Sequence, residues 1–284
     1  MLNALLLAMA TASLSAQSVV RKAYINKTSD KGAFTFNALT SLFAALFFLF
    51  ISGFDLHFTW EILPYALGFA LAYGTTVLMS FYAIKIGSLS LTSLITSYSL
   101  IIPTFFGLIF LGEKAGALFY VGLGILFVSL FLMNSKHSDS KITLKWVIAV
   151  FLAFLGNGAC STVQTAQQKA FSGQYKSEMM ITALLAVTVV MVVASVFAEK
   201  DEIKPAIQSG GLYAAGCGIC NGICNLLVML LAVRMDASIM FPVISAGGIV
   251  ITGAVSMFLY KEKLSRGQYI ALALGIASVV LMNI

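Results

Sequence analysis

The sequence predicts an all-α integral membrane protein with ten transmembrane helices arranged as a 5+5 inverted repeat. Three observations carry that expectation. Charged residues make up only 10% of the 284-residue chain and hydrophobic residues 60%, with a mean hydropathy of +0.98. A soluble domain carries roughly 25% charged residues, so this chain cannot cover itself with polar surface in water. Second, the chain is written twice. Ala83-Ile84-Lys85-Ile86 returns as Ala232-Val233-Arg234-Met235, 149 residues later, and the same offset pairs Glu113-Lys114 with Glu262-Lys263, Tyr120 with Tyr269 and Leu132-Met133-Asn134 with Leu281-Met282-Asn283. Nearer the start, Gln17 and Lys22-Ala23-Tyr24 meet Gln164 and Lys169-Ala170-Phe171 at an offset of 147. Third, each copy holds five apolar segments, an odd number, so the second copy must enter the membrane from the opposite side. Inverted repeats of this kind place a site near the bilayer midplane, between the halves.

A helix needs roughly 20 apolar residues to cross a hydrocarbon core of about 30 Å, and the apolar runs between charged or turn-rich breaks supply these in order. The first segment, 2–20, holds a small-residue patch at Ser13-Leu14-Ser15-Ala16 that could pass for a signal cleavage site. No basic residue precedes Arg21, and the repeat counterpart at 147–171 lies deep in the chain, so a retained helix is expected. The second segment, 33–53, follows the break Asn26–Lys31, and the third, 63–83, follows Gly53–His57 and carries Tyr73 and Thr76. The fourth, 88–111, carries Thr96, Ser97, Tyr98 and Ser99 in a row. The fifth, 116–134, follows Gly112–Lys114 and contains Gly116, Gly122 and Gly124. The longest polar stretch, 135–145, is the expected junction of two five-helix repeats, 1–135 and 142–284.

In the second repeat, segment six (144–165) carries Asn157, Ser161, Gln164 and Gln168 at i, i+4, i+7 and i+11, one polar stripe on a helix. Segment seven is 178–198, after Gly173–Lys176. Segment eight, 208–232, follows Glu199–Lys204 and sets Asn221 and Asn225 one turn apart, beside a Gly218-x-x-x-Gly222 packing motif. Segment nine, 236–259, contains Pro242, Ala246-Gly247-Gly248 and Gly253, which could serve as hinges. Segment ten, 267–284, follows Lys261–Arg266 and contains Gly267 and Gly275.

Of the 17 Lys and Arg, thirteen fall after odd-numbered segments. The positive-inside rule then places both termini outside the cytoplasm. The net charge of +6 sits in short loops and reads as interfacial anchoring, not as a nucleic-acid surface. Lys22 and Lys169, at matched positions, read as two snorkelling anchors. Glu113 and Glu262 read as fixing the turns before segments five and ten, where they also complement the helix dipole.

The four cysteines, Cys160, Cys217, Cys220 and Cys224, lie inside apolar segments, so no disulfide framework is expected. Cys217, Cys220 and Cys224 share one helix face. A metal-linked intramembrane protein would use that face, but the only histidines, His57 and His137, fall in loops, and a close packing face is the better reading. Neither a metal nor a cofactor is expected. The chain contains no H-E-x-x-H, G-x-S-x-G or nucleotide-binding loop, so neither an enzyme nor an ATP-driven pump is expected.

No ionisable residue lies well inside any segment, and such groups are the usual intramembrane markers of function. Neutral polar groups take their place. The candidate substrate contacts are Gln17, Tyr73, Thr76, Tyr98, Asn157, Ser161, Gln164, Asn221 and Asn225. Gln17 matches Gln164, Ser15 matches Thr162 and Thr76 matches Asn225. Amides and hydroxyls both donate and accept hydrogen bonds, which suits a polar, uncharged or zwitterionic solute. The competing reading is that these groups join helices, at roughly 0.6–2 kcal/mol each.

Phe110-Leu111-Gly112-Glu113-Lys114, followed by a helix bearing Gly122 and Gly124, resembles the end of an EamA domain. Tyr260-Lys261-Glu262-Lys263-Leu264-Ser265, followed by the helix ending Leu281-Met282-Asn283, resembles it again. Two tandem copies resemble a ten-helix member of the drug/metabolite transporter superfamily across essentially the whole chain. Pro103 and Pro242 do not match between the copies. The resemblance implies a secondary transporter of small metabolites, often an exporter, in the plasma or inner membrane. It also implies cytoplasmic termini, against the charge count. Its partners would be a small-molecule substrate and the lipid bilayer, with no nucleic acid; a homo-oligomer stays open. Small multidrug exporters, distant relatives, use a glutamate in the first helix. Leu5–Ser13 holds no acid, which disfavours proton/cation antiport by that route. The rival reading is a non-transporting receptor or scaffold, for which loops this short offer little surface.

Overall fold

The computed structural model describes residues 2–28, 32–86, 92, 95–96, 98–134, 143–258 and 266–282. In chain order the α-helices whose bounds lie among the described residues are α1 (Leu2–Thr28), α2 (Ala33–Ile51), α3 (Leu63–Ile86), α4 (Ile101–Phe110), α5 (Ala117–Asn134), α6 (Leu144–Ala170), α7 (Lys176–Ala198), α8 (Ile203–Ala232), α9 (Ala237–Phe258) and α10 (Arg266–Met282). Among the described residues, six stretches are long and apolar enough to cross a bilayer: Leu2–Ile25, Ala33–Ile51, Trp60–Ala83, Leu144–Ala170, Lys176–Ala198 and Lys200–Ala232. Shorter apolar stretches occur in α4, α5, α9 and α10. Residues 135–142 of the expected junction at 135–145, the residues Ser97 and Glu262, and the side chain of Lys22 lie outside the described residues.

Large apolar side chains face outward along these helices; Phe197 and Leu212 are each 86% exposed. Continuous apolar surface on this scale is untenable in water, while helices satisfy their own backbone polar groups in hydrocarbon. The protein is an integral, multi-pass membrane protein.

The helices outrun the apolar segments that announce them. α1 continues to Thr28 instead of stopping near residue 20, α6 reaches Ala170 instead of 165, and α8 begins at Ile203 instead of 208. Hydropathy ends where charge begins, whereas Arg, Lys and Gln keep a backbone helical at little cost. The fourth segment differs in another way. A 3₁₀ turn, Tyr98–Leu100, precedes α4. Pro103 lies in the first turn of α4, where its missing N–H costs little; Pro242 lies inside α9 and removes the amide that would reach the Ser238 carbonyl.

Packing joins the two halves of the chain. α1 lies against α8 as α3 lies against α6, α2 meets α7, and α5 meets α10. Small residues permit the close approaches. Gly156 of α6 faces the Ala72 carbonyl and Thr76 of α3, and Gly158 faces Ser99 and Ile102. Gly218 of α8 faces the Thr40 carbonyl of α2, where an added Cβ would stand 2.6 Å away. Gly122 of α5 faces Ser278 and Met282 of α10. A buried core of Phe48, Phe69, Met179, Met180, Leu184 and Met229 fills the space among α2, α3, α6, α7 and α8.

Carboxylates tie helix ends across the halves. Glu113 follows Gly112, whose φ of 67° turns the chain tightly. Its carboxylate accepts from the Ala237 amide at 2.9 Å and the Ser238 amide at 2.8 Å. It therefore caps the N-terminus of α9, not that of its own following helix as the sequence suggests. Gly107 makes room for this carboxylate, since a Cβ there would strike it. On α2, Glu199 accepts from the Phe34 amide at 2.9 Å and the Thr35 amide at 3.3 Å, and Glu202 accepts from the Gly32 amide at 2.7 Å. Burial raises the Glu199 carboxyl above its ordinary range, opposed by the hydrogen bonds from Phe34 and Thr35.

Candidate functional site

Helices from both halves surround a cavity of about 530 Å³. Ligand pockets commonly span roughly 300–1,000 Å³, so its size suits a small metabolite. α1 contributes Leu14, Ser15, Gln17, Ser18 and Arg21; α3 contributes Phe69, Tyr73, Thr76 and Val77. α6 contributes Asn157, Cys160, Ser161 and Gln164; α8 contributes Asn221, Cys224, Asn225 and Val228. Phe241, Ile244, Ser245 and Gly248 of α9 and Leu100 complete the lining. The polar stripes on α1, α6 and α8 face one another because Gly156 and Gly158 draw α6 against α3 and the turn before α4, while Gly218 and Gly222 draw α8 against α2.

Gln17, Tyr73, Thr76, Asn157, Ser161, Gln164, Asn221 and Asn225 are thus brought to one cavity from four helices. Tyr98 is not among them. Its hydroxyl donates to the Phe127 carbonyl at 2.9 Å and its ring lies 5.1 Å from that of Phe127, in a separate crevice against α5. The 3₁₀ turn winds at 3.0 residues per turn instead of 3.6, which rotates Tyr98 out of the row suggested by its neighbours. Gln168, the last member of the α6 stripe, is buried beyond the cavity and donates to Gln167 and to the Gln174 carbonyl.

The second-half wall is a hydrogen-bonded frame. Gln164 Nε2 donates to Asn225 Oδ1 at 2.7 Å, and Asn225 Nδ2 donates to Asn221 Oδ1 at 2.9 Å and to the Asn221 carbonyl at 2.8 Å. Asn157 Nδ2 donates to Ser99 Oγ at 2.6 Å. Thr76 Oγ1 donates to the Ala72 carbonyl at 2.8 Å. Fixing amides against one another holds their remaining donors and acceptors in place toward the cavity. Phe69 and Tyr73, stacked with centroids 5.9 Å apart, form a flat apolar wall on the α3 side.

Two lining features lie beyond the sequence-derived set. Arg21, assigned by hydropathy to a loop, stands on the cavity wall one turn beyond Gln17 because α1 does not end at residue 20. The i, i+4 spacing of Gln17 and Arg21 was the available signal. Cys224 also lines the cavity, whereas Cys217 is buried with its thiol 3.8 Å from the Gln17 carbonyl. All four cysteines are free. Among the described residues no three His, Cys, Asp or Glu side chains gather as metal ligands. Lys169 is exposed. The lining is suited to reversible binding of a polar solute by hydrogen bonds and an apolar wall.

Comparison with curated proteins gives no sequence match. A protein of known crystal structure shares the fold at a TM-score of 0.83 and 14% identity, covering 98% of this chain and 95% of the other. The family model described as the EamA-like transporter family matches residues 1–135 and again 144–284. The cavity lies between these two matched regions, and the chain belongs to the EamA-like transporter family.

Proposed function

We propose that the protein is a secondary transporter, an exporter or exchanger, of small polar or zwitterionic metabolites. It works by alternating access between two inverted five-helix halves, 1–135 and 142–284, of a ten-helix membrane protein. The observation that carries this reading is the 530 Å³ cavity, lined from both matched regions by amides and hydroxyls. Rocking one half against the other opens such a site to either side in turn. Apart from Arg21 the lining side chains are uncharged amides, hydroxyls, thiols and apolar groups, which can exchange hydrogen bonds with a polar solute and release it again. Within α9, a Cβ on Gly248 would make ordinary van der Waals contact with Leu14 Cδ2 at 3.9 Å, whereas a Cβ on Gly247 would stand 2.8 Å from Thr11 Cγ2. Gly247 is read as a sliding contact between α9 and α1, and Gly248 as the hinge.

Thermal-shift screening of the purified protein against polar metabolites tests the binding half of the proposal, since a ligand of the native state raises Tm. Flux of each hit into proteoliposomes tests the transport half and separates a carrier from a receptor or scaffold. Hits that survive Gln164→Ala and Asn221→Ala with unchanged affinity would contradict the site; hits that bind without crossing the membrane would contradict transport.

A further inference from the structure

Arg21 gives the cavity a charge on one side. It is exposed to the cavity along α1, and no Asp or Glu is among the lining residues described. Its guanidinium makes no hydrogen bond or ion pair with a described residue. On the same helix, Ser15 is 3% exposed yet its Oγ has no partner. The Ser15 hydroxyl is buried beneath the cavity surface, so the binding deficit that a solute can fill is the single cation Arg21 in a cavity otherwise lined by uncharged side chains. Anchoring at the bilayer surface would require Arg21 to turn toward lipid, whereas it lines the cavity and α1 continues past it to Thr28.

We infer that Arg21 receives the acidic group of the transported solute, so that the substrate class is a small carboxylate carrying one negative group, an α-amino acid or a 2-hydroxy acid. The inference rests on the transporter reading above. One guanidinium matches one carboxylate through two parallel N–H···O bonds. A dianion such as a phosphate monoester would leave a negative charge in a cavity that offers no second cation among its described lining residues. From Arg21 to Gln17 is one helical turn, a rise of about 6 Å. A carboxylate on Arg21 therefore sets the α-substituent near Gln17 and the facing amides Gln164, Asn221 and Asn225, with the side chain against Phe69 and Tyr73. The matched position in α6 is Gln168, which is buried outside the cavity, so the anion contact belongs to one half only.

The test uses the full-length protein in proteoliposomes. Counterflow is measured with L-α-amino acids, with the 2-hydroxy acids of the same side chains, and with the corresponding α-amides, which lack the carboxylate. The expected result is saturable exchange of at least one acid and at least 10-fold weaker competition by its amide. Arg21→Gln should weaken the acid roughly 10- to 100-fold, the usual cost of losing a hydrogen bond to a charged group, and Arg21→Lys should keep part of it. Exchange of amino acids without hydroxy acids supports the inference and identifies the α-amino group as a second contact; exchange of both supports it with the carboxylate as the shared determinant. Amides that exchange as well as acids overturn it, as does an unchanged KM in Arg21→Gln. Flux of uncharged polar solutes without any carboxylate overturns the Arg21 inference and leaves the transporter reading standing; no flux with any probe overturns both. If Arg21→Gln fails to fold, Arg21→Lys and the acid-to-amide comparison on the unmodified protein still decide.

Discussion

α1 and α6 open the two repeats and carry glutamine at matched positions, Gln17 and Gln164, yet they build different walls of one cavity. On the α6 side, Gln164 is bonded to Asn225, Asn225 to Asn221, and Asn157 to Ser99. On the α1 side, the positions matching Asn157 and Ser161 are Ala10 and Leu14, and the position matching Gln168 is Arg21. The second half supplies a fixed polar frame, and the first half supplies the only cavity charge among the described residues. Duplication gives the two copies one backbone plan, and a binding site made between them becomes selective when the copies stop being equivalent.

Substitutions at matched positions can break or sharpen this contrast. The largest effect should come from Gly156→Leu, because Gly156 meets the Ala72 carbonyl of α3, where an added Cβ would stand 2.7 Å away. Its counterpart in α1 is Met9, 46% exposed. Gly156→Leu should abolish recovery of folded protein in detergent chromatography, and Met9→Leu should leave yield and Tm unchanged. Asn225→Leu comes next. It removes the acceptor of Gln164, which is 3% exposed, at a cost of about 1–3 kcal/mol. A Tm drop of several degrees and at least 10-fold slower solute exchange are expected. Its counterpart Thr76 bonds only to its own helix, so Thr76→Val should change exchange by no more than about threefold. Equal effects at Asn225 and Thr76 would mean that the halves share recognition evenly.

The smallest effect lies outside the cavity, at the Glu199 cap on α2. With its carboxyl raised by burial, the folded state holds this proton more tightly than the unfolded chain does. Its contribution to stability therefore falls as pH rises from the ordinary carboxylate range through the raised value. Glu199→Gln should flatten the Tm profile as pH rises above the ordinary carboxylate range, without altering exchange. A changed exchange rate at constant stability would show that this cap takes part in the transport cycle.

Much of this was legible in the sequence because membrane helices obey a strict length and polarity rule, and because the repeat lets each copy check the other. The eight residues Gln17, Tyr73, Thr76, Asn157, Ser161, Gln164, Asn221 and Asn225 could be picked as amides, hydroxyls and an aromatic ring on apolar helices, where burial without a partner is costly. What escaped notice was non-local or conformational. The carboxylate of Glu113 caps a helix 124 residues away, a contact that no local pattern encodes. Tyr98 is turned aside by a 3₁₀ turn that its row of polar neighbours does not announce. Arg21 was hidden by the assumption that a helix stops at the first charge; the helix runs through it, and the charge lands on the cavity wall.

The central claim is that the cavity between the halves is the solute path. Counterflow of a labelled solute in proteoliposomes, comparing the unmodified protein with Gln164→Ala, tests it most directly. The account predicts saturable exchange in the former and at least 10-fold slower exchange in the latter, with Gln164→Ala still folded by its thermal transition. Equal exchange by the two proteins, or none by either with any polar metabolite, would contradict it.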